Sequence, residues 1–132
     1  MNIVYTDNKL PNQADLVSLF SSVNWESANY PERLHAALQG SDTVLTAWDG
    51  DLLVGLVNAI SDGAMVAYIH YLLVRKQYQG KGIGTGLMSR ILAKYAGVRQ
   101  KVLIAETKAV LFYGRLGLEV DEGFSSMHIN SF

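Results

Sequence analysis

The sequence contains no cysteine and only two prolines. Without thiols it has no disulfide, no cysteine nucleophile and no cysteine-based metal site. Acyl transfer through an enzyme-bound thioester is excluded for the same reason, and no metal is expected. The absence also suits a reducing compartment. No apolar run approaches the ~20 residues that span a bilayer. Residues 1–10 mix Asp7, Asn8 and Lys9 among few apolar positions, unlike the continuous apolar core of a secretion signal. A cytoplasmic protein without a membrane partner is therefore expected. Neither charge sign dominates, with 11 Lys+Arg against 12 Asp+Glu and a formal charge of −1. Nothing in that balance calls for a nucleic-acid partner, and any anion site has to be built locally.

What is present is a chain of 132 residues, 49% of them hydrophobic, enough for a single domain over 1–132 with one core. Ile3 to Tyr5 reads as a first strand. Pro11 opens a helix through Phe20, with Leu16, Leu19 and Phe20 at helical spacing, and Pro31 to Leu38 forms a second helix stopped at Gly40. Thr43 to Trp48 and Leu52 to Ile60, joined by Asp49-Gly50, are the clearest hairpin. Ser61-Asp62-Gly63 turns the chain into a strand from Ala64 to Val74. A helix over Thr85 to Tyr95, a strand over Val102 to Ala105 and a helix over Thr107 to Leu116 follow. Leu118 to Val120 and Ser126 to Ile129 read as the last strands. This order predicts an α+β fold on a central mixed sheet.

The run Gln79-Gly80-Lys81-Gly82-Ile83-Gly84 lies between an apolar strand and a helix. Glycines allow close approach to a ligand, and the free N–H groups of a first helical turn, aided by the helix dipole, point at an anion. A plain turn is the alternative. A dinucleotide site is the serious rival, because strand, glycines, helix and Glu106 mimic its order. Its third glycine would fall on Thr85, Leu87 or Ser89, so the spacing fails. A P-loop fails too, lacking Gly-Lys-Ser/Thr after the required spacer.

Gln79-x-x-Gly82-x-Gly84, preceded by Leu72-Leu73-Val74, resembles the acetyl-CoA loop of the GNAT superfamily of N-acetyltransferases. Ala109-x-x-Phe112-Tyr113-x-x-x-Gly117-Leu118 resembles a second segment of the same superfamily. Together the two cover roughly residues 44 to 120. The wording around Ser61, Tyr78 and Ala105 is most similar to small bacterial members and the plastid serotonin N-acetyltransferase-like group. The resemblance implies a mostly antiparallel sheet with helices on both faces, a bulged fourth strand, and a slot where the fourth and fifth strands splay. It implies acetyl-CoA as cosubstrate, with pantetheine beside Leu72, Leu73 and Val74. The diphosphate would meet Gly80, Lys81, Gly82, Ile83, Gly84 and Thr85, entered by Gln79, and Phe112 joins the same site.

The resemblance makes Tyr113 the acid that protonates the departing thiolate. Phe112 is expected on the core side of its helix, leaving Tyr113, about 100° around, to face the slot. Here the chain departs from its relatives: where many carry a strand-four carboxylate, it reads Tyr68-Ile69-His70-Tyr71. His70, with an ordinary pKa of about 6.5, is one candidate base and Glu106 the other. Their plain readings are a structural histidine and an exposed strand-end carboxylate. Trp25 and Tyr30 stand where relatives cover the acceptor pocket, and ordinary packing explains them equally well. Asp62 serves the turn or contacts a cationic acceptor. The expected reaction is direct acetyl transfer to a small-molecule primary amine. A non-catalytic acyl-CoA sensor and a protein or peptide acetyltransferase are the competing readings, and a homodimer is left open by analogy with relatives.

Overall fold

The computed structural model describes all 132 residues. Four antiparallel strands form most of one sheet: β1 (Ile3–Thr6), β2 (Thr43–Asp49), β3 (Leu52–Ser61) and β4 (Val66–Val74). β5 (Gln100–Leu103) adds in parallel to β4, so the sheet runs β1-β2-β3-β4-β5. The parallel step follows from the crossover helix α3 (Ile83–Lys94), which returns the chain to the end where β4 began.

Each sheet face has its own apolar layer. Helices α1 (Gln13–Ser22) and α2 (Pro31–Gln39) press Leu16, Leu19, Phe20, Leu34 and Leu38 onto Trp48, Leu53, Leu56 and Leu73. On the opposite face α3 buries Ile83, Leu87, Met88 and Ile91 against Ala47, Val57, Ala59 and Ile69. Gly55 lets α3 come close, since a Cβ there would stand 2.9 Å from Leu87 Cδ1. α1 begins two residues later than Pro11 implies. Asn12 caps it by accepting from the Asp15 N–H at 2.8 Å.

β4 starts at Val66 rather than Ala64 because Asp62 Oδ1 accepts from the N–H groups of Ala64, Met65 and Val66. Those three bonds also hold the Asp62 carboxyl below the usual carboxylate range.

A bulge interrupts β4 where the resemblance placed one. Val57 pairs with Leu72 and Ala59 with Ile69, so two steps on β3 match three on β4. Asn58, 2% exposed, holds it: its Oδ1 accepts from the Tyr71 N–H at 2.8 Å and its Nδ2 donates to Ser41 Oγ at 3.0 Å. The extra residue inverts the side-chain alternation. Ala67 and Ile69 face α3 before the bulge, and Leu72 and Val74 face it afterwards. His70 and Tyr71, though consecutive, share the other face, their rings stacked at 4.1 Å. Asn58→Ala leaves the Tyr71 N–H without its partner and should cost about 1–3 kcal/mol in urea unfolding. An unchanged midpoint would show that the amide does not hold the bulge.

The C-terminal third departs from the sequence reading. The helix expected over Thr107 to Leu116 is a single 3₁₀ turn, Thr107–Ala109, followed by a short α4 (Val110–Gly114). β5 lies two residues earlier than expected. The strands expected at Leu118 to Val120 and Ser126 to Ile129 are absent, because that extended segment has no ladder partner within the chain.

Candidate active site

After β4 the chain makes a 3₁₀ turn, Lys76–Tyr78, tied down by the Tyr78 hydroxyl, which donates to Asp49 Oδ2 at 2.6 Å. It then enters the glycine run. Gly80 and Gly82 sit at φ of 78° and 84°, a left-handed conformation that glycine adopts without strain. Gly82 caps α3, and its carbonyl accepts from the Gly86 N–H at 2.9 Å. The six consecutive N–H groups from Gly80 to Thr85 donate to no backbone or side-chain acceptor. Orphan donors at the positive end of a 12-residue helix form a site for an anion.

These amides open onto a cleft of about 710 Å³, a size usual for small-molecule sites. Leu72, Leu73, Val74, Gln79, Gly80 and Gly82 form one wall, and Ile83, Gly84, Thr85, Phe112 and Trp25 close it. The expected cofactor residues thus meet in one place, apart from Lys81, which is exposed on the loop and is not part of the wall. Lys76 and Lys108 add two cations, and no carboxylate lines the cleft. Such a wall favours a polyanion and repels nothing that carries phosphate.

The slot itself follows from the end of a ladder. β4 and β5 pair only from Val66 with Gln100 to Ile69 with Leu103, so β4 from His70 to Val74 has an open edge. Arg75 N–H donates to the Val54 carbonyl at 2.7 Å on the β3 side. By strand alternation, the N–H and C=O of Val74 point the other way, into the slot. Gln79 Nε2 donates to that carbonyl at 3.0 Å, which leaves the Val74 N–H for a ligand.

Phe112 packs against the core and also places its ring over Gly84 in the glycine cleft, whereas Tyr113 is turned differently from the expectation. Tyr113 faces the adjoining groove beside β5, with Leu103 and Ala105. Burial raises its phenol pKa above the ordinary 10, and its hydroxyl has no partner in the chain. His70 stacks between Tyr68 at 5.8 Å and Tyr71 at 4.1 Å. Partial loss of water from the ring lowers its pKa below 6.5. Glu106 is exposed and paired with Lys108 at 3.3 Å, so the burial a carboxylate base needs is missing.

Trp25 lies in the cleft wall and packs on Phe20 and Tyr71 at 6.0 and 6.1 Å. Tyr30 instead meets the C-terminal Phe132 at 5.1 Å. Asp62 sits at the opposite end of β4 from the glycine run, its carboxylate occupied by the turn, and is not part of the cleft. Sequence reasoning missed Lys76, Lys108 and Asn24. The last stands in the cleft wall at a φ of 59°, and its only signal is an Asn just past a helix.

A family model for the acetyltransferase (GNAT) domain matches residues 5–126. The chain is 32% identical over 104 residues to the GCN5-related N-acetyltransferase 2, chloroplastic, of Arabidopsis thaliana, covering 71% of the chain and 40% of that protein. It is 33% identical over 99 residues to the serotonin N-acetyltransferase 2, chloroplastic, of Oryza sativa subsp. japonica, covering 68% of the chain and 48% of that protein. The chain thus spans less than half the length of either plant relative. A solved GNAT family protein of Streptococcus pneumoniae superposes with a TM-score of 0.85 at 30% identity, covering 98% of both chains. The family model over most of the chain shows that the chain belongs to the GNAT family of acetyltransferases.

Proposed function

We propose that the chain transfers an acetyl group from acetyl-CoA to the primary amine of a small molecule, by direct attack while both are bound. The observation that carries this reading is the row of free N–H groups from Gly80 to Thr85 in a cleft that continues along the open edge of β4. The donor set fits the cosubstrate: amides and Lys76 for the diphosphate, and the apolar side of Leu72, Val74 and Phe112 for the pantetheine arm. Acetyl-CoA supplies the acyl group as a thioester. Val74 donates its N–H to the thioester oxygen as negative charge develops there. An alkylamine of pKa near 10 arrives protonated. His70, neutral at working pH, takes that proton through water. Tyr113 returns a proton to sulfur, and burial keeps the phenol protonated until needed.

Trp25, Tyr71, His70 and Tyr68 form a continuous row of rings along β4. Such a row supports an acceptor with an aromatic group, held face to face or edge to face with the rings. The name of the rice relative, a serotonin N-acetyltransferase, agrees with that chemistry. A panel of arylalkylamines, polyamines and lysine peptides, assayed with acetyl-CoA for free thiol, tests the reading. Turnover greatest with arylalkylamines is the expected result. No turnover with any amine would leave a binding protein instead.

The base has its own test. A ring whose pKa is lowered stays neutral to a lower pH than a free imidazole, so the acidic limb of the rate profile should fall below pH 6.5. His70→Gln should abolish that limb. If the limb survives and Glu106→Gln removes it, the carboxylate is the base.

A further inference from the structure

The bulge that Asn58 holds puts His70 and Tyr71 side by side on one face, where regular alternation would send them to opposite faces. The His70 imidazole is held by no hydrogen bond within the chain. Its plane is set by stacking, mainly on Tyr71 at 4.1 Å and 29°, with Tyr68 farther off at 5.8 Å. What fixes Tyr71 therefore fixes His70. The Tyr71 ring meets Phe20 edge to face at 5.0 Å, and its hydroxyl is hydrogen-bonded to Ser27 Oγ at 2.9 Å. Ser27 lies on a single 3₁₀ turn, Glu26–Asn29, between α1 and α2, with no buried residue of its own. The backbone bonds of that turn are local: Ala28 N–H donates to the Trp25 carbonyl, and Tyr30 N–H to that of Ser27. Its one side-chain hydrogen bond is the one that reaches the sheet, at Tyr71.

We propose that Tyr71, latched by Ser27, is the positioning residue for His70, so that the turn beside the cleft and the ring of the base are fixed together. This rests on the proposed transfer, in which His70 takes the proton of the amine. A histidine base is commonly oriented by a carboxylate or carbonyl bonded to its other ring nitrogen. Here an aromatic face takes that part. A ring alone is free to swing about its Cα–Cβ bond, and a hydrogen bond at the far end of the phenol removes that freedom. The latch also couples two walls. Trp25, at the head of the turn and packed on Tyr71 at 6.1 Å, lines the cleft, so displacing the turn moves the cleft wall and tilts the base with it. Catalysis is sensitive to such tilts, since a misplacement of about 1 Å costs up to about 10²-fold. As a plain packing device, the Ser27 bond would add stability and leave both the His70 ring and the rate alone.

Ser27→Ala and Tyr71→Phe each remove one half of the latch and keep the rings. Both are read well below their unfolding midpoints, so a loss of stability alone does not register. The three histidines, His35, His70 and His128, give separate imidazole Cε1–H signals in a ¹H–¹³C spectrum of the full chain. Stacked on Tyr71, His70 should resonate upfield of the other two, and in both variants its signal should move toward theirs. Loss of one neutral hydrogen bond changes an equilibrium by up to about tenfold, so kcat with an arylalkylamine should fall about three- to tenfold. Because the two variants break the same bond, the double variant should fall no further than either. An unmoved His70 signal, an unchanged kcat, or losses that add in the double variant would each overturn the latch. No turnover by the wild type would sink the transfer reading, and with it the role of base, while the spectrum still decides whether Ser27 sets the His70 ring.

Discussion

Replacing Gly82 by valine is expected to weaken acetyl-CoA binding by a hundredfold or more, read by titration calorimetry. Gly82 sits at a φ of 84° with no atom within 4 Å of where a Cβ would stand, so the substitution meets no clash inside the protein. Its cost is conformational. A β-branched residue in the left-handed region is strained by about 1–2 kcal/mol, and the loop relieves that strain by moving. Movement at the cap rotates the N–H groups of Ile83, Gly84 and Thr85 away from a common point. Each hydrogen bond to a charged group contributes about 1.5–3 kcal/mol, so losing two of them exceeds the ~2.7 kcal/mol that corresponds to a hundredfold. Gly50→Val is the control. Gly50 stands at a φ of 59° in the β2–β3 turn, also with open space around it, so the strain is comparable and the cleft is untouched. Binding by Gly50→Val should equal that of the wild type. Equal losses in both variants would mean that instability, not the amide cradle, lowers the affinity.

Tyr113→Phe should lower kcat by about 10²-fold near neutral pH while leaving acetyl-CoA affinity unchanged. The hydroxyl is half-buried and has no protein partner. It stands on the residue next to Phe112, whose ring forms the cleft wall. Burial disfavours the phenolate and raises its pKa, so Tyr113 remains a proton donor through the whole range in which an amine acceptor is acetylated. The sign of the pH dependence follows from the leaving group. A thiol has a pKa of about 8.5, so a thiolate departs unaided above that pH and needs the proton below it. The defect of Tyr113→Phe should therefore shrink as pH rises past about 8.5. A variant within a few-fold of the wild type at every pH would remove Tyr113 from the mechanism.

The glycine loop was legible because its chemistry is local. Three glycines, an apolar strand before and an apolar helix after determine where the free amides lie, whatever the rest of the chain does. The hairpins at Asp49-Gly50 and Ser61-Asp62-Gly63 were legible for the same reason. The orientation of Tyr113 was not. A rotation of about 100° per residue holds only within a regular α-helix, and the 3₁₀ turn at Thr107–Ala109 resets the phase before a helix of five residues. The agent that holds the bulge was hidden too. Asn58 reads as a polar residue in an apolar strand, and its role appears only when β3 and β4 are in register. The C-terminal segment shows the limit from the other side. Its strand alternation is present in the sequence, but a strand exists only against a partner, and within the chain this segment pairs with no strand.

On the proposed reading, the main-chain amides of 80–85 and of Val74 hold the thioester cosubstrate. Titrating ¹⁵N-labelled protein with acetyl-CoA and following backbone amide resonances tests it residue by residue. The largest shifts should fall on Gly80 to Thr85, with Val74 moving at the same midpoint and residues 62 to 66 at the far end of β4 unaffected. Saturable binding that leaves the 80–85 amide resonances in place would contradict this binding mode.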